Sequence, residues 1–288
     1  MTLSEKFYNM LDRLDTDESV KEEMFKIVME APDSYERDGM LALIYHDGIG
    51  VDIDLKKSFE YAEKAVDGLD ALGLYILGYM CDNIETPDQA ESGPLQKYDH
   101  YDAERFYERC AKIDSYWKEP ATLWLAEYFM NGARGGDPEI GAEYYESIAD
   151  TSEEAVCALS DYYWDLVMPN YPDDEEWCEK LFKWTKRAVE YDPEEYSFRL
   201  GWIYSDGLGC EPSEEKASDY FHQAYLLGDW RGARAIASKF ENILETDTDL
   251  SDDEREEIKR KIKEWHNMAD EIYEESLDDE PENIIEED

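Results

Sequence analysis

Leu200-Gly201-Trp202-Ile203-Tyr204-Ser205-Asp206-Gly207-Leu208-Gly209, continuing through Lys216-Ala217, Tyr220-Phe221, Ala224 and Gly228, is the stretch on which the fold turns. Its opening register is leucine, then a small residue, then an aromatic three positions later. The register recurs at Leu41-Ala42…Tyr45, Leu125-Ala126…Phe129 and Leu159-Ser160…Tyr163, with weaker copies at Leu77-Gly78…Cys81 and Ile236-Ala237…Phe240. Measured between the last positions, the copies lie 36, 48, 34, 41 and 36 residues apart. Periods of this size describe a stack of two-helix units in which each pair completes the core of its neighbour.

The unit explains itself physically. Phe198, Leu200, Ile203 and Tyr204 fall on helical spacing behind Asp192-Pro193-Glu194-Glu195. An Asp N-cap, a proline at the first helical position and acids in the first turn all suit the unpaired amides of a helix start. Gly207 and Gly209 then predict a tight turn with backbone angles that a Cβ resists. Ala217, Tyr220, Phe221 and Ala224 form one face of the returning helix, where small residues allow close approach and aromatic rings fill the space beside them.

The pattern resembles the Sel-one-like repeat, a relative of the tetratricopeptide repeat, whose units read Leu-Gly-x-x-Tyr-x-x-Gly-x-Gly and then Lys-Ala-x-x-Tyr-Tyr-x-x-Ala-Ala-x-x-Gly. Leu200 to Gly228 match it almost throughout. The first unit matches at Leu41, Ala42, Tyr45, Gly48, Gly50, Val51, Lys57, Phe59, Tyr61, Ala65 and Gly68, and the third keeps Gly132, Gly135, Ala142, Tyr144, Tyr145 and Ala149. The second and fourth units lack the Gly-x-Gly turn. The resemblance covers residues 34–242 and implies an all-α, right-handed α-solenoid of about five to six antiparallel helix pairs, working as an interaction scaffold.

Composition bounds the function. A formal charge of −46, from 74 acidic and 28 basic residues, opposes direct binding of nucleic acid, which needs a positive footprint, and opposes adsorption to anionic membranes. It favours a basic protein partner drawn in by long-range attraction; a merely solvated surface is the other reading of the same charge. Five scattered cysteines with no close pair fit a reducing compartment. The start Met1-Thr2-Leu3-Ser4-Glu5-Lys6 shows no secretory pattern, so a cytoplasmic location is expected.

Along the chain, residues 1–33 are expected to form N-terminal capping helices opened by capping boxes at Thr2-x-x-Glu5 and Ser19-x-x-Glu22. Residues 34–242 form the repeat array. Its second unit is interrupted by a Pro- and Gly-containing insertion over 83–101, and its fourth replaces the usual turn by Asp165 to Asp173 with two prolines. Residues 243–273 are expected to hold a C-terminal capping helix, opened by Ser251-x-x-Glu254 and packing Ile258, Ile262, Trp265, Met268 and Ile272. Residues 274–288 read as a disordered acidic tail.

No catalytic residue, metal site or cofactor is expected. Asp247-x-Asp249-x-Ser251 begins like a calcium loop, but Asp252 stands where glycine is needed and Ile258 where a bidentate Glu is required. The four histidines lie in four different segments, and no phosphate loop is present. Packing like that of tetratricopeptide units would put the first helix of each pair on the inner face, with inner positions three before, one after and five after the small residue. The resemblance thereby implies Tyr75, Tyr79 and Asn83; Leu123, Glu127 and Asn131; Cys157, Asp161 and Asp165; and Phe198, Trp202 and Asp206, with Asp82 and Trp164 one step away. The expected partner-binding set is Tyr75, Tyr79, Asp82, Glu127, Asn131, Asp161, Trp164, Asp165, Trp202 and Asp206. Such a groove suits a Lys- or Arg-bearing protein segment held by cation–π contacts and ion pairs, and an acidic peptide is the wrong guest. A second reading is an acidic inhibitor that imitates nucleic acid and fills a basic cleft on another protein.

Overall fold

A computed structural model of the chain describes residues 1–14, 16–83, 98, 101–132, 136–170 and 172–278. Among the described residues there are fourteen helices and no strand. They fall into two compact units, Met1–Ile148 and Ala149–Asp288.

The first unit holds α1 (Leu3–Leu11), α2 (Val20–Met29), α3 (Tyr35–Asp47), α4 (Leu55–Asp67), α5 (Ala71–Asp82), α6 (Tyr101–Ala111), α7 (Lys118–Met130) and α8 (Pro138–Ile148). The second holds α9 (Glu153–Asn170), α10 (Glu175–Tyr191), α11 (Pro193–Asp206), α12 (Glu214–Leu226), α13 (Trp230–Thr246) and α14 (Asp252–Asp278). In each unit the densest packing joins consecutive helices into pairs: α3 with α4, α5 with α6 and α7 with α8, then α9 with α10, α11 with α12 and α13 with α14. Each pair also packs on the next one within its unit. This is the repeated helix-pair architecture of an α-solenoid.

The repeat register is a burial register. Leu41, Leu77, Leu125, Leu159 and Leu200 are all fully buried. The small residue beside each leucine sits where the partner helix comes closest: a Cβ on Gly201 would lie 2.7 Å from the Phe221 ring. Where that residue is Ser160, its hydroxyl is buried and shares a 2.9 Å hydrogen bond with Thr185 of α10, which answers the cost of burying a polar group there.

The turn glycines have a tertiary reason as well as a local one. Gly207 is the left-handed C-cap of α11. Gly209 is also left-handed, with φ 67°, and its α-carbon faces the Cys178 carbonyl of α10, so a side chain there would collide with backbone. Gly50, with φ 67°, is pressed in the same way against the Lys21 carbonyl of α2. The second glycine of the turn is thus where one helix pair seats on the helix before it, and α2 plays for the first repeat the part that α10 plays for the fifth.

Helix starts follow the sequence except at one place. Thr2 and Glu5 exchange hydrogen bonds of 3.2 and 2.7 Å, and Ser251 with Glu254 of 3.4 and 2.8 Å, both as capping boxes. Asp192 accepts from the Glu195 amide at 3.1 Å ahead of Pro193. Ser19 makes no cap: its backbone is helical and its amide donates to Asp17, 3.1 Å away. An acceptor two residues upstream outcompetes the capping geometry there.

Two element boundaries differ from expectation. The turn expected from Asp165 is helix, because α9 runs through Pro169 to Asn170. Continuing the helix buries Val167 completely, and a proline in the last turn removes only one intrahelical bond. The last helix extends beyond Tyr273 to Asp278, and it is the second member of the last pair, packed on α13. Its most buried residue is Ala269, whereas Met268 of the expected stripe is exposed. Most of the 83–101 insertion, Gly135 and residues 279–288 of the expected acidic tail lie outside the described residues.

Candidate functional site

In the first unit an aromatic row crosses the N-terminal ends of the first helices. Tyr75 of α5 is half-buried, with its ring 4.6 Å from that of Trp117 and 5.5 Å from that of Tyr107. Trp117 Nε1 donates to the Tyr8 hydroxyl of α1 at 3.2 Å, Tyr8 stacks on Tyr116 at 4.9 Å, and the Tyr116 hydroxyl donates to Asp12 at 3.1 Å. Burial pushes the Tyr8 phenol up to about 12, so it stays protonated at neutral pH and able to donate. The N-terminal helix therefore reaches residues 116 and 117, and Tyr75 is packed beneath that contact.

At the C-terminal ends of the same helices several of the described residues are exposed. Tyr79 is 41% exposed, with the His46 ring edge-on at 5.1 Å. Asp82 closes α5 and accepts from Trp124 Nε1 at 3.0 Å; Trp124 is itself stacked between Tyr107 at 4.3 Å and Tyr128 at 5.0 Å. Glu127 and Asn131 at the end of α7 are exposed. Neither α5 nor α7 carries a basic residue in its last turn. A helix C-terminus is already the negative end of its dipole, so a carboxylate there adds to the field, and a cation is the complementary ligand.

In the second unit Asp161 and Trp164 of α9 already have a cation. Arg199 of α11 pairs with Asp161, bonds Glu195 at 2.8 Å, and lies with its guanidinium carbon 5.5 Å from the Trp164 ring and 5.2 Å from the Tyr196 ring. The Tyr196 hydroxyl adds a 3.3 Å bond to Asp161 and is held far above the usual phenol range, first by burial and then by that carboxylate. Asp165, one turn on, is exposed.

Trp202 and Asp206 line an open cavity of about 1060 Å³ bounded by α11, α12 and α13. Phe198, Phe221 and Trp230 line it, with Trp202 37% exposed. Its far wall carries Arg231, Arg234 and Lys239, three basic residues outside the sequence-expected set. A signal for this wall was present: the inner-position rule, extended to the weak sixth copy at Ala237, selects Arg234, Ser238 and Asn242, and all three line the cavity.

Among the described residues no group of three or more His, Cys, Asp or Glu is placed to hold a metal ion, and no helix is long and apolar enough to cross a membrane. The described residues thus include exposed acid and aromatic side chains at helix ends of the first unit and an aromatic cavity walled by ion-paired basic residues in the second.

The family model of the Sel1 repeat matches residues 39–68, 120–150 and 195–229, which cover most of the helix pairs α3/α4, α7/α8 and α11/α12. The pairs α5/α6 and α9/α10, which lack the Gly-x-Gly turn, fall outside those matches. Among solved structures the chain is similar to a protective antigen present in uropathogenic Escherichia coli strains that displays an SLR fold. Identity is 16% and the TM-score 0.47, over 94% of this chain and 60% of that one. It is also similar to a Sel1 repeat protein from Oxalobacter formigenes at 13% identity and a TM-score of 0.49, over 91% and 96% of the two chains. The chain thus spans about 60% of the length of the first of these proteins. The three segments that match the Sel1 repeat, about a third of the chain, are those in which the turn glycines, buried leucines and helix pairing described above recur.

Proposed function

We propose that the protein is a non-catalytic scaffold that receives a Lys- or Arg-bearing segment of another protein at the C-terminal ends of α5 and α7. Proteins of Sel1 repeats generally mediate protein–protein interaction as scaffolds. The observation that carries the finer reading is the doubling of negative charge at those ends. Asp82 closes α5 and Glu127 stands in the last turn of α7, each without a basic residue in that turn, beside the exposed ring of Tyr79. Carboxylates placed at the unfavourable end of a helix dipole cost stability, and a cationic guest offsets that cost while its ammonium or guanidinium group lies on the tyrosine face. The overall charge of −46 raises the encounter rate with the same guest.

The test is fluorescence anisotropy with two labelled peptides of equal length, one alternating lysine with leucine and one alternating glutamate with leucine. The lysine peptide is expected to bind the wild-type chain more tightly at about 50 mM than at about 300 mM salt. The double variant Asp82→Lys, Glu127→Lys is expected to weaken it about tenfold or more at the lower salt. Equal affinity of wild type and variant for the lysine peptide removes these helix ends as the site.

A further inference from the structure

The cavity of the second unit is far less acidic than the chain that contains it. Basic residues are 28 of 288 in the whole chain against 74 acidic ones. Lining the cavity are three basic residues, Arg231, Arg234 and Lys239, and two acidic ones, Asp206 and Glu214. With Asp229 and Asp270, which pair with the two arginines from beside the lining, the site is close to neutral, against a chain total of −46. Glu214 is already paired with Lys239 at 2.8 Å.

The arginines are held in place before any guest arrives. Arg231 Nε bonds both oxygens of Asp229, at 2.9 and 3.1 Å, while the guanidinium lies 5.0 Å from the Phe198 ring centre. Asp229 is in turn fixed as the N-cap of α13, accepting the Arg231 amide at 2.9 Å. This leaves the two terminal nitrogens of Arg231 without an acceptor among the described residues. Arg234 lies 4.7 Å from the Trp230 ring centre, and its contact with Asp270 is a 3.3 Å pair between exposed side chains, which is weak. A guanidinium whose plane is fixed by a ring on one side and a carboxylate on one edge presents its remaining N–H donors as a fork suited to a carboxylate. Beside this fork, Trp202 and Ile243 offer exposed apolar surface at the cavity.

From this geometry we infer that the cavity between α11 and α13 is a second docking site, which takes an acidic protein segment carrying a large apolar side chain. Arg231 and Arg234 hold the carboxylate, and Trp202 with the aromatic floor takes the apolar group. The guest is opposite in charge to the one proposed for the helix ends of the first unit. The scaffold therefore offers two chemically distinct sites, and the inference does not depend on the other reading. Long-range repulsion from the rest of the chain slows the approach of an acidic segment, so the site selects for one whose apolar anchor fits.

The probe is a fluorescein-labelled peptide with a central tryptophan flanked on each side by two glutamates, compared with the same peptide bearing lysines. The full chain is expected to bind the glutamate peptide, and the double variant Arg231→Gln, Arg234→Gln to bind it about tenfold more weakly or worse. Thermal unfolding by circular dichroism verifies that the variant is folded. Trp202→Ala, which alters an exposed ring, is expected to weaken the same peptide independently. Failure of the glutamate peptide to bind wild type, or equal binding by wild type and the arginine variant, overturns the inference. Loss confined to the lysine peptide in the Asp82 and Glu127 variant bears on the first site alone.

Discussion

Gly209→Ala is expected to destabilise the second unit by about 3 kcal/mol or more, and Gly132→Ala to cost the first unit only about 1–2 kcal/mol. Both glycines have positive φ, 67° and 59°, so each alanine carries the left-handed penalty for an L-residue. They differ in what surrounds them. Among the described residues a Cβ at Gly132 has its nearest neighbour at 4.0 Å, whereas one at Gly209 runs into the carbonyl carbon and oxygen of Cys178. Backbone in the first turn of a packed helix cannot rotate away as a side chain can, so α11 and α12 must lift from α10 and forfeit part of the contact between repeats. In a stack stabilised by nearest-neighbour contacts, that loss uncouples the pairs on either side of it. Urea denaturation followed by circular dichroism measures both variants. A broader, earlier transition is expected for Gly209→Ala, and similar costs for the two substitutions would show that the seat on α10 is not what demands glycine.

Asp70→Asn is expected to stabilise the first unit at about pH 8 by about 1–2 kcal/mol and to make little difference near pH 4. Asp70 is the N-cap of α5, its Oδ1 accepting the Gly73 amide at 2.9 Å. Burial pushes its carboxyl up to about 6, and the nearby Glu36 and Asp38 push the same way, against the lowering effect of the amide bonds. A folded-state value above the unfolded 3.8 means that the native state binds the proton more tightly. The stability linked to that proton is fully present below about pH 4 and is lost as pH rises through about 6. A carboxyl held near 6 rather than 3.8 corresponds to about 3 kcal/mol, which solvent screening of this half-buried group reduces to the smaller figure above. Asparagine keeps an acceptor for Gly73 and carries no charge, so the gap between variant and wild type should open between about pH 4 and 6 and then stay constant. Urea midpoints for the two proteins across that range provide the measurement, and a variant less stable than wild type at pH 8 would show that the ionised cap contributes more than its burial costs.

Local interactions were legible without coordinates, because they involve residues within a few positions of one another. The caps at Thr2, Asp192 and Ser251 depend on an oxygen and an amide three residues apart, and the Leu-small-aromatic register depends only on helix periodicity. The departures arise where a distant contact outweighs a local preference, as when burial of Val167 carries α9 through Pro169. The candidate site divides along the same line. Tyr79, Glu127 and Asn131 could be selected by register alone, and Asp82 lies one step from it. Their neighbours could not: Arg199 meets Asp161 from 38 positions away, and Tyr8 meets Trp117 from 109.

The amino-acid sequence by itself determined the helix-pair unit, its repeat, most of its caps and its excess of negative charge, since each is written in composition or in spacings of three to four residues. Only the tertiary structure decided where charge is neutralised and where it is left available. Asp161 is neutralised by an internal arginine, while Arg231, though paired through Nε with Asp229, keeps its terminal nitrogens turned to an aromatic cavity that Arg234 also lines. The reason is geometric: which side chains meet depends on how each helix is rotated against the next, and that rotation is set by the packing of the whole interface rather than by any short stretch of residues.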